Sequence, residues 1–183
     1  MDSYIDIEML PDHEFTASAV LSKLWFKFHI ALVQSGAQIG ISFPRRTGKD
    51  LGAVLRLHGT ADALNTLQTQ RWAKGVYDYI ATSDVLPVPA DVQHGHVSRA
   101  YFKNNHERLR RRADRRGNLS EEDRNRLFTA WNEKKPDCPA VEIFSSSTAM
   151  NAVFYIRHTS APAAQAGTFN TYGLSKSATV PLF

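Results

Sequence analysis

Tyr4-Ile5-Asp6-Ile7-Glu8-Met9 alternates strictly, with Ile5, Ile7 and Met9 on one face and Tyr4, Asp6 and Glu8 on the other. A period of two marks a strand half-buried against a core, and Pro11-Asp12 closes it. The next run changes period. From Phe15 to about Ser35 the apolar positions Ala17, Val20, Leu21, Leu24, Phe28, Ala31 and Leu32 follow helical spacing, and Gly36 ends the run. Ile39, Ile41 and Phe43 return to alternation in a second strand closed by Pro44, and Ala53, Leu55 and Leu57 mark a third that stops at Gly59. Thr60 is placed to cap a second helix carrying Leu64 and Leu67. Tyr77, Tyr79 and Ile80 begin a fourth extended region leading to Val85-Leu86-Pro87-Val88-Pro89. The order β-α-β-β-α-β predicts a ferredoxin-like, split-βαβ domain over residues 1–92. That architecture serves many functions and decides none of them alone.

The remainder predicts a smaller α+β domain over residues 93–183. Pro89 to Gly95 reads as a connection, followed by a short strand from His96 to Lys103 and an arginine-rich helix. Ser120 opens a further helix with Glu121, Glu122 and Asp123 in its first turn. Val141 to Phe144 and Ala152 to Arg157 read as strands around Ser145-Ser146-Ser147-Thr148, and Tyr172-Gly173-Leu174-Ser175-Lys176 follows a Ser/Ala/Gly-rich stretch. The fold class expected for the whole chain is α+β.

Composition narrows the class. At 183 residues and 43% hydrophobic content the chain can build a substantial core. A single cysteine, Cys138, rules out an internal disulfide and a thiolate zinc site. The opening residues lack a basic, then apolar, leader. The most apolar segment, Ala19 to Val33, contains Lys23 and Lys27 and is too short to span a bilayer. A soluble protein of a reducing compartment, the cytoplasm, with no membrane partner, is the expectation.

The charge is concentrated. Between Arg99 and Arg116 lie eight of the twenty-two Lys and Arg residues against only Glu107 and Asp114, a local charge of +6 in a chain of +4. On a helix, Arg108, Arg111, Arg112, Arg115 and Arg116 fall within roughly 140° of arc. Arg108/Arg112, Arg111/Arg115 and Arg112/Arg116 are like-charge i,i+4 pairs, each costing about 0.2–0.5 kcal/mol. A solvated face normally mixes signs. This one does not, which points to a polyanion such as a nucleic-acid backbone.

Candidate chemistry is sparse. His29 sits one step beyond Phe28, at the edge of the buried helix face. A histidine there can pack, face solvent or transfer a proton, and position alone does not separate these. His94-Gly95-His96 lacks an indicated third ligand and reads as linker rather than metal site. Arg45-Arg46-Thr47-Gly48-Lys49 lacks the glycine spacing of a P-loop. No paired-carboxylate set of the metal-dependent nuclease kind stands out. RNA can be cut without one, because its own 2′-hydroxyl becomes the nucleophile once a base deprotonates it.

Several strings resemble, in order and across nearly the whole chain, the CRISPR repeat-processing endoribonucleases of subtype I-F. They are Tyr4-Ile5-Asp6-Ile7, Lys27-Phe28-His29-Ile30-Ala31-Leu32-Val33, Ile39-Gly40-Ile41-Ser42-Phe43-Pro44, Val97-Ser98-Arg99, Glu107-Arg108-Leu109-Arg110-Arg111-Arg112, Ser147-Thr148, Phe154-Tyr155-Ile156-Arg157-His158 and Tyr172-Gly173-Leu174-Ser175-Lys176. The resemblance implies a metal-independent endoribonuclease, with no cofactor, that cuts the repeat hairpin of precursor CRISPR RNA and retains the product. On it, His29 is a general base toward the 2′-hydroxyl, Ser145 anchors that hydroxyl and Tyr172 orients the histidine. The products implied are a 2′,3′-cyclic phosphate and a 5′-hydroxyl. Arg112, Arg115 and Arg116 match helix positions that contact the RNA stem, and Arg99 matches a base-reading arginine. Arg108, Arg111, Tyr101 and Ser147 complete the expected RNA-binding set. The implied partners are the repeat hairpin and other subunits of a type I-F surveillance complex, in a prokaryotic cytoplasm.

Two positions depart from the family pattern. Tyr101 stands where a glutamine is expected, and a tyrosine can stack but cannot make the bidentate amide contact to adenine. Ala152 stands where an aromatic is expected to stack on the closing base pair, a contact worth about 1–3 kcal/mol. The departures leave room for a second expectation, a catalytically weak hairpin-binding structural subunit. A double-stranded DNA-binding regulator, resting on the arginine helix alone, is a third.

Overall fold

The computed structural model describes residues 1–101, 120–123, 125–126, 137–145 and 150–183. Strand β1 (Ser3–Met9) has the alternation read from its sequence, with Ser3, Ile5, Ile7 and Met9 buried and the residues between them partly exposed. Thr16 caps helix α1 (Ala17–Ser35) by accepting the Ala19 N–H, and Gly36 ends it in the left-handed conformation at φ 66°. Strands β2 (Gly40–Ser42) and β3 (Val54–Gly59) follow, then helix α2 (Ala61–Thr69) with Thr60 as its cap, as expected. Tyr77–Tyr79 is a turn of 3-10 helix rather than the start of a strand, and only Ile80–Thr82 (β4) and Leu86–Pro87 (β5) are extended.

The first sheet has the order β2-β3-β1-β4, with β5 also paired to β1. All of these pairings are antiparallel, so β1 and β2 run the same way with β3 between them. That is a βαβ unit split by an inserted strand. Ile5, Ile7, Leu55, Leu57 and Ile41 face Leu24, Trp25 and Phe28 of α1 in one buried cluster. On the far face, Asp6 lies in register with Arg56. Their side chains form a forked pair at 2.6 and 2.8 Å, and the guanidinium lies over the rings of Tyr4 and Phe183.

A second sheet has the order β7-β8-β6-β9, from β6 (Gln93–Ala100), β7 (Ala140–Ser145), β8 (Met150–Ala161) and β9 (Val180–Leu182). Strand β6 begins at Gln93, so the connection expected to reach Gly95 is shorter: Gln93, His94 and Gly95 pair with Leu182, Pro181 and Val180. It ends at Ala100, three residues before the expected Lys103. The architecture is mixed α+β.

Two compact units result: Met1–Arg99 with Cys138–Phe183, and Ala100–Asp137. In the second, Ser120 accepts the Asp123 N–H at 3.2 Å and donates to its carboxylate at 2.8 Å, opening a helical turn at Glu121 as its sequence predicts. Among the described residues no helix is long and apolar enough to cross a membrane.

Candidate active site

The last third of α1 carries His29 beyond the buried Trp25 and Phe28, so its ring emerges half-buried at the helix edge. It meets a tight loop over residues 170–174. Asn170 builds that loop: its Oδ1 accepts the N–H groups of Tyr172 and Leu174 at 2.9 and 3.1 Å, while its backbone accepts from Gly173. Gly173 adopts φ 72°, and a Cβ there would lie 2.7 Å from Ile41 Cγ2 and 3.1 Å from Phe28 Cε1. Only glycine meets both demands. The Gly173 carbonyl accepts from Ile41 N–H and Ser175 N–H donates to Val97, tying the loop to β2 and β6.

This anchoring sets Tyr172 against His29. Their rings stack with centroids 3.9 Å apart and 3° between planes. Trp25 Nε1 donates to the Tyr172 carbonyl at 2.9 Å, and the Tyr172 ring also meets Phe154 at 4.8 Å. His29 Nδ1 lies 3.1 Å from the Thr171 carbonyl oxygen. A carbonyl only accepts, so Nδ1 carries the hydrogen, and in the neutral imidazole Nε2 keeps its lone pair. Burial pushes the Tyr172 phenol above the usual tyrosine range, with the Arg99 guanidinium pulling the other way. The phenol therefore stays neutral at physiological pH.

Arg99 lies on β6 with its guanidinium 3.7 Å from the centroid of Phe154 and a hydrogen bond to the Val153 carbonyl. Arg99, Phe154, Tyr172 and His29 thus form one run of contacts, in which the guanidinium lies over Phe154, Phe154 meets Tyr172 at a tilt of 60° and Tyr172 stacks on His29. Three of the residues singled out in the sequence meet here. Phe154, Trp25 and Asn170 were not singled out as site residues, since a strand aromatic, a core tryptophan and a loop asparagine carry no distinguishing spacing.

Ser145 is the last residue of β7, in register with Met150. Tyr101 follows β6 and is exposed. Ala152 lies opposite Ile143 on β8. Arg108, Arg111, Arg112, Arg115, Arg116 and Ser147 lie outside the described residues.

Other histidines are placed differently. His58 is fully buried with Nε2 2.7 Å from Ser42 Oγ, and burial, reinforced by Arg56 and the N-terminal ammonium, lowers its pKa to about 3. His96 Nδ1 bonds the Ala178 carbonyl at 3.0 Å. Among the described residues no group of three or more His, Cys, Asp and Glu converges on a possible metal position.

Comparison with known proteins gives a concordant result. Residues 4–183 match the family described as CRISPR-associated protein (Cas_Csy4). The CRISPR-associated endonuclease Cas6/Csy4 of Pseudomonas aeruginosa (strain UCBPP-PA14) is 40% identical over 187 residues, spanning 100% of both chains. The protein of the same description from Escherichia coli (strain UTI89 / UPEC) is 38% identical over 185 residues, again spanning 100% of both.

Proposed function

The chain belongs to the Cas_Csy4 family of CRISPR-associated proteins, and on that premise we propose that it is an endoribonuclease that cuts the repeat hairpin of precursor CRISPR RNA without a metal ion. The observation that carries this reading is His29 itself, clamped between the Tyr172 ring and the Thr171 carbonyl with Nε2 left to act.

In the reaction, Nε2 takes the proton of the 2′-hydroxyl that precedes the scissile phosphate. The freed 2′-oxygen attacks phosphorus, the bond from phosphorus to the 5′-oxygen breaks, and the departing oxygen collects a proton from the imidazolium or from water. The products are a 2′,3′-cyclic phosphate and a 5′-hydroxyl. General-base help of this kind is worth about 10²–10⁴-fold, and fixing the ring in one orientation supplies the near-attack geometry. Ser145, at the end of β7, anchors the 2′-hydroxyl. Arg99 faces the RNA beside the stack.

Residues 1–92 supply the histidine, and residues 93–183 the hairpin-binding half. There Arg108, Arg111, Arg112, Arg115 and Arg116 grip the stem, with Tyr101 and Ser147 beside it. The protein works in a prokaryotic cytoplasm and delivers its product to the other subunits of a type I-F surveillance complex.

The decisive experiment incubates the wild-type protein and His29→Ala with repeat RNA in EDTA and maps the product termini. Hairpin binding should survive the substitution while cleavage falls by at least about 10²-fold. Cleavage at the wild-type rate in His29→Ala would remove the histidine from this role. A repeat left intact by excess wild-type protein would instead mark a hairpin-binding structural subunit.

A further inference from the structure

A groove of about 760 Å³ runs beside α1 from Thr16 to Lys27, facing β7, a length of roughly 16 Å at 1.5 Å per residue. It leads away from His29. Phe26 and Ser22 line it, one and two turns before the histidine on the same side of the helix. Across from them stands Phe144, the residue before Ser145 and half exposed at 49%. Phe26 and Phe144 meet edge to face at 6.1 Å. Lys23 and Lys27 stand along the helix wall, and Lys23 Nζ is held 4.1 Å above the Phe15 ring. Among the described residues Glu142 is the one carboxylate on the lining, against the ammoniums of Lys23 and Lys27.

We infer that this groove is the binding site for the single-stranded RNA immediately 3′ of the cleavage point, the strand that leaves; the inference rests on the endoribonuclease reading. Cations spaced along a trough beside the exposed Phe144 ring and the partly buried Phe26 suit a flexible phosphate chain whose bases stack without sequence preference. The direction follows from α1. Trp25, which holds the Tyr172 carbonyl, and Phe26, which lines the groove, project about 100° apart around the helix. The Arg99–Phe154–Tyr172 cluster and the groove therefore flank His29 on different sides. A hairpin held at Arg99 leaves the groove to the nucleotides beyond the scissile bond.

The test uses repeat hairpin RNA carrying a 2′-deoxyribose at the cleavage nucleotide, which blocks cutting, with either no 3′ flank or ten flanking uridines. The wild-type protein should bind the flanked RNA about tenfold more tightly at low salt, the equivalent of one stacked base. The double variant Lys23→Ala/Lys27→Ala should lose that increment while binding the unflanked hairpin as before, and Glu142→Gln should enlarge it. Equal affinity for both RNAs in the wild-type protein, or an increment untouched by the double variant, overturns the assignment. Cleavage of the all-ribose RNA by the wild-type protein is measured alongside. If that cleavage is present, equal affinity of the wild-type protein for the two RNAs, or an increment that survives in the double variant, sinks the groove alone; if it is absent, the endoribonuclease reading and the groove fall together.

Discussion

The rings of His29 and Tyr172 lie parallel within 3°, their centroids 3.9 Å apart, although one belongs to a helix and the other to a loop. The aromatic face is what the imidazole leans on. Tyr172→Phe keeps that face and should cleave within a few-fold of wild type. Tyr172→Ala removes it, and a loosened ring costs on the order of 10²-fold in single-turnover cleavage. Equal rates in the two variants would show that the stack has no part in catalysis.

Gly173→Ala should be costly out of proportion to its size. The left-handed φ of 72° and the 2.7 Å approach to Ile41 Cγ2 act together, and strain of this kind is worth about 1–3 kcal/mol. Chemical denaturation should show that loss. Cleavage should fall as well, since Tyr172 is the preceding residue. Wild-type stability in this variant would mean the loop can settle elsewhere.

Stability should fall as pH drops below about 6.5, the range in which a free histidine takes up its proton. Burial, with Arg56 and the N-terminal ammonium adding to it, holds His58 at about 3, and burial with Arg46 holds His158 at about 4, both down from 6.5. The unfolded chain protonates these groups near pH 6.5 and the folded chain does not. Their contribution is complete above pH 6.5 and is lost as pH drops toward 4 and 3, at up to about 1.4 kcal/mol per pH unit for each. The urea midpoint should decline from pH 7 to pH 5, less steeply in His158→Leu. A flat midpoint across that range would contradict the burial of both rings.

Arg112→Ala and Arg115→Ala should each weaken hairpin binding and lower the slope of log affinity against log salt by about one unit, the loss of one phosphate contact. An unchanged slope in both would take them off the phosphate backbone.

Much of the first sheet was legible because its signals are local. The alternation of β1, the glycine stop at Gly36 and the threonine cap at Thr60 each act within a few residues. The run Tyr77-Asp78-Tyr79 misled because aromatics favour strands, whereas here Tyr79 N–H closes a tight turn onto Val76. Strand β9 and the early start of β6 escaped notice because they pair with each other across more than eighty residues, a contact that no local signal announces. The site was legible only in part. The spacing of α1 placed His29 at the helix edge but could not select it, since its partner is a main-chain carbonyl, a group every residue possesses. Resemblance to a family named His29 and Tyr172, yet nothing along the chain announced that Phe154 joins them to Arg99.

The separation of 142 residues between His29 and the carbonyl that holds it has a bearing on biosynthesis. At about 5–20 residues per second, a ribosome needs on the order of ten seconds to travel from the histidine codon to the loop that steadies its ring. Throughout that interval the emerging polypeptide carries an imidazole without its clamp. The ring is therefore steadied only when nearly the whole chain has been made.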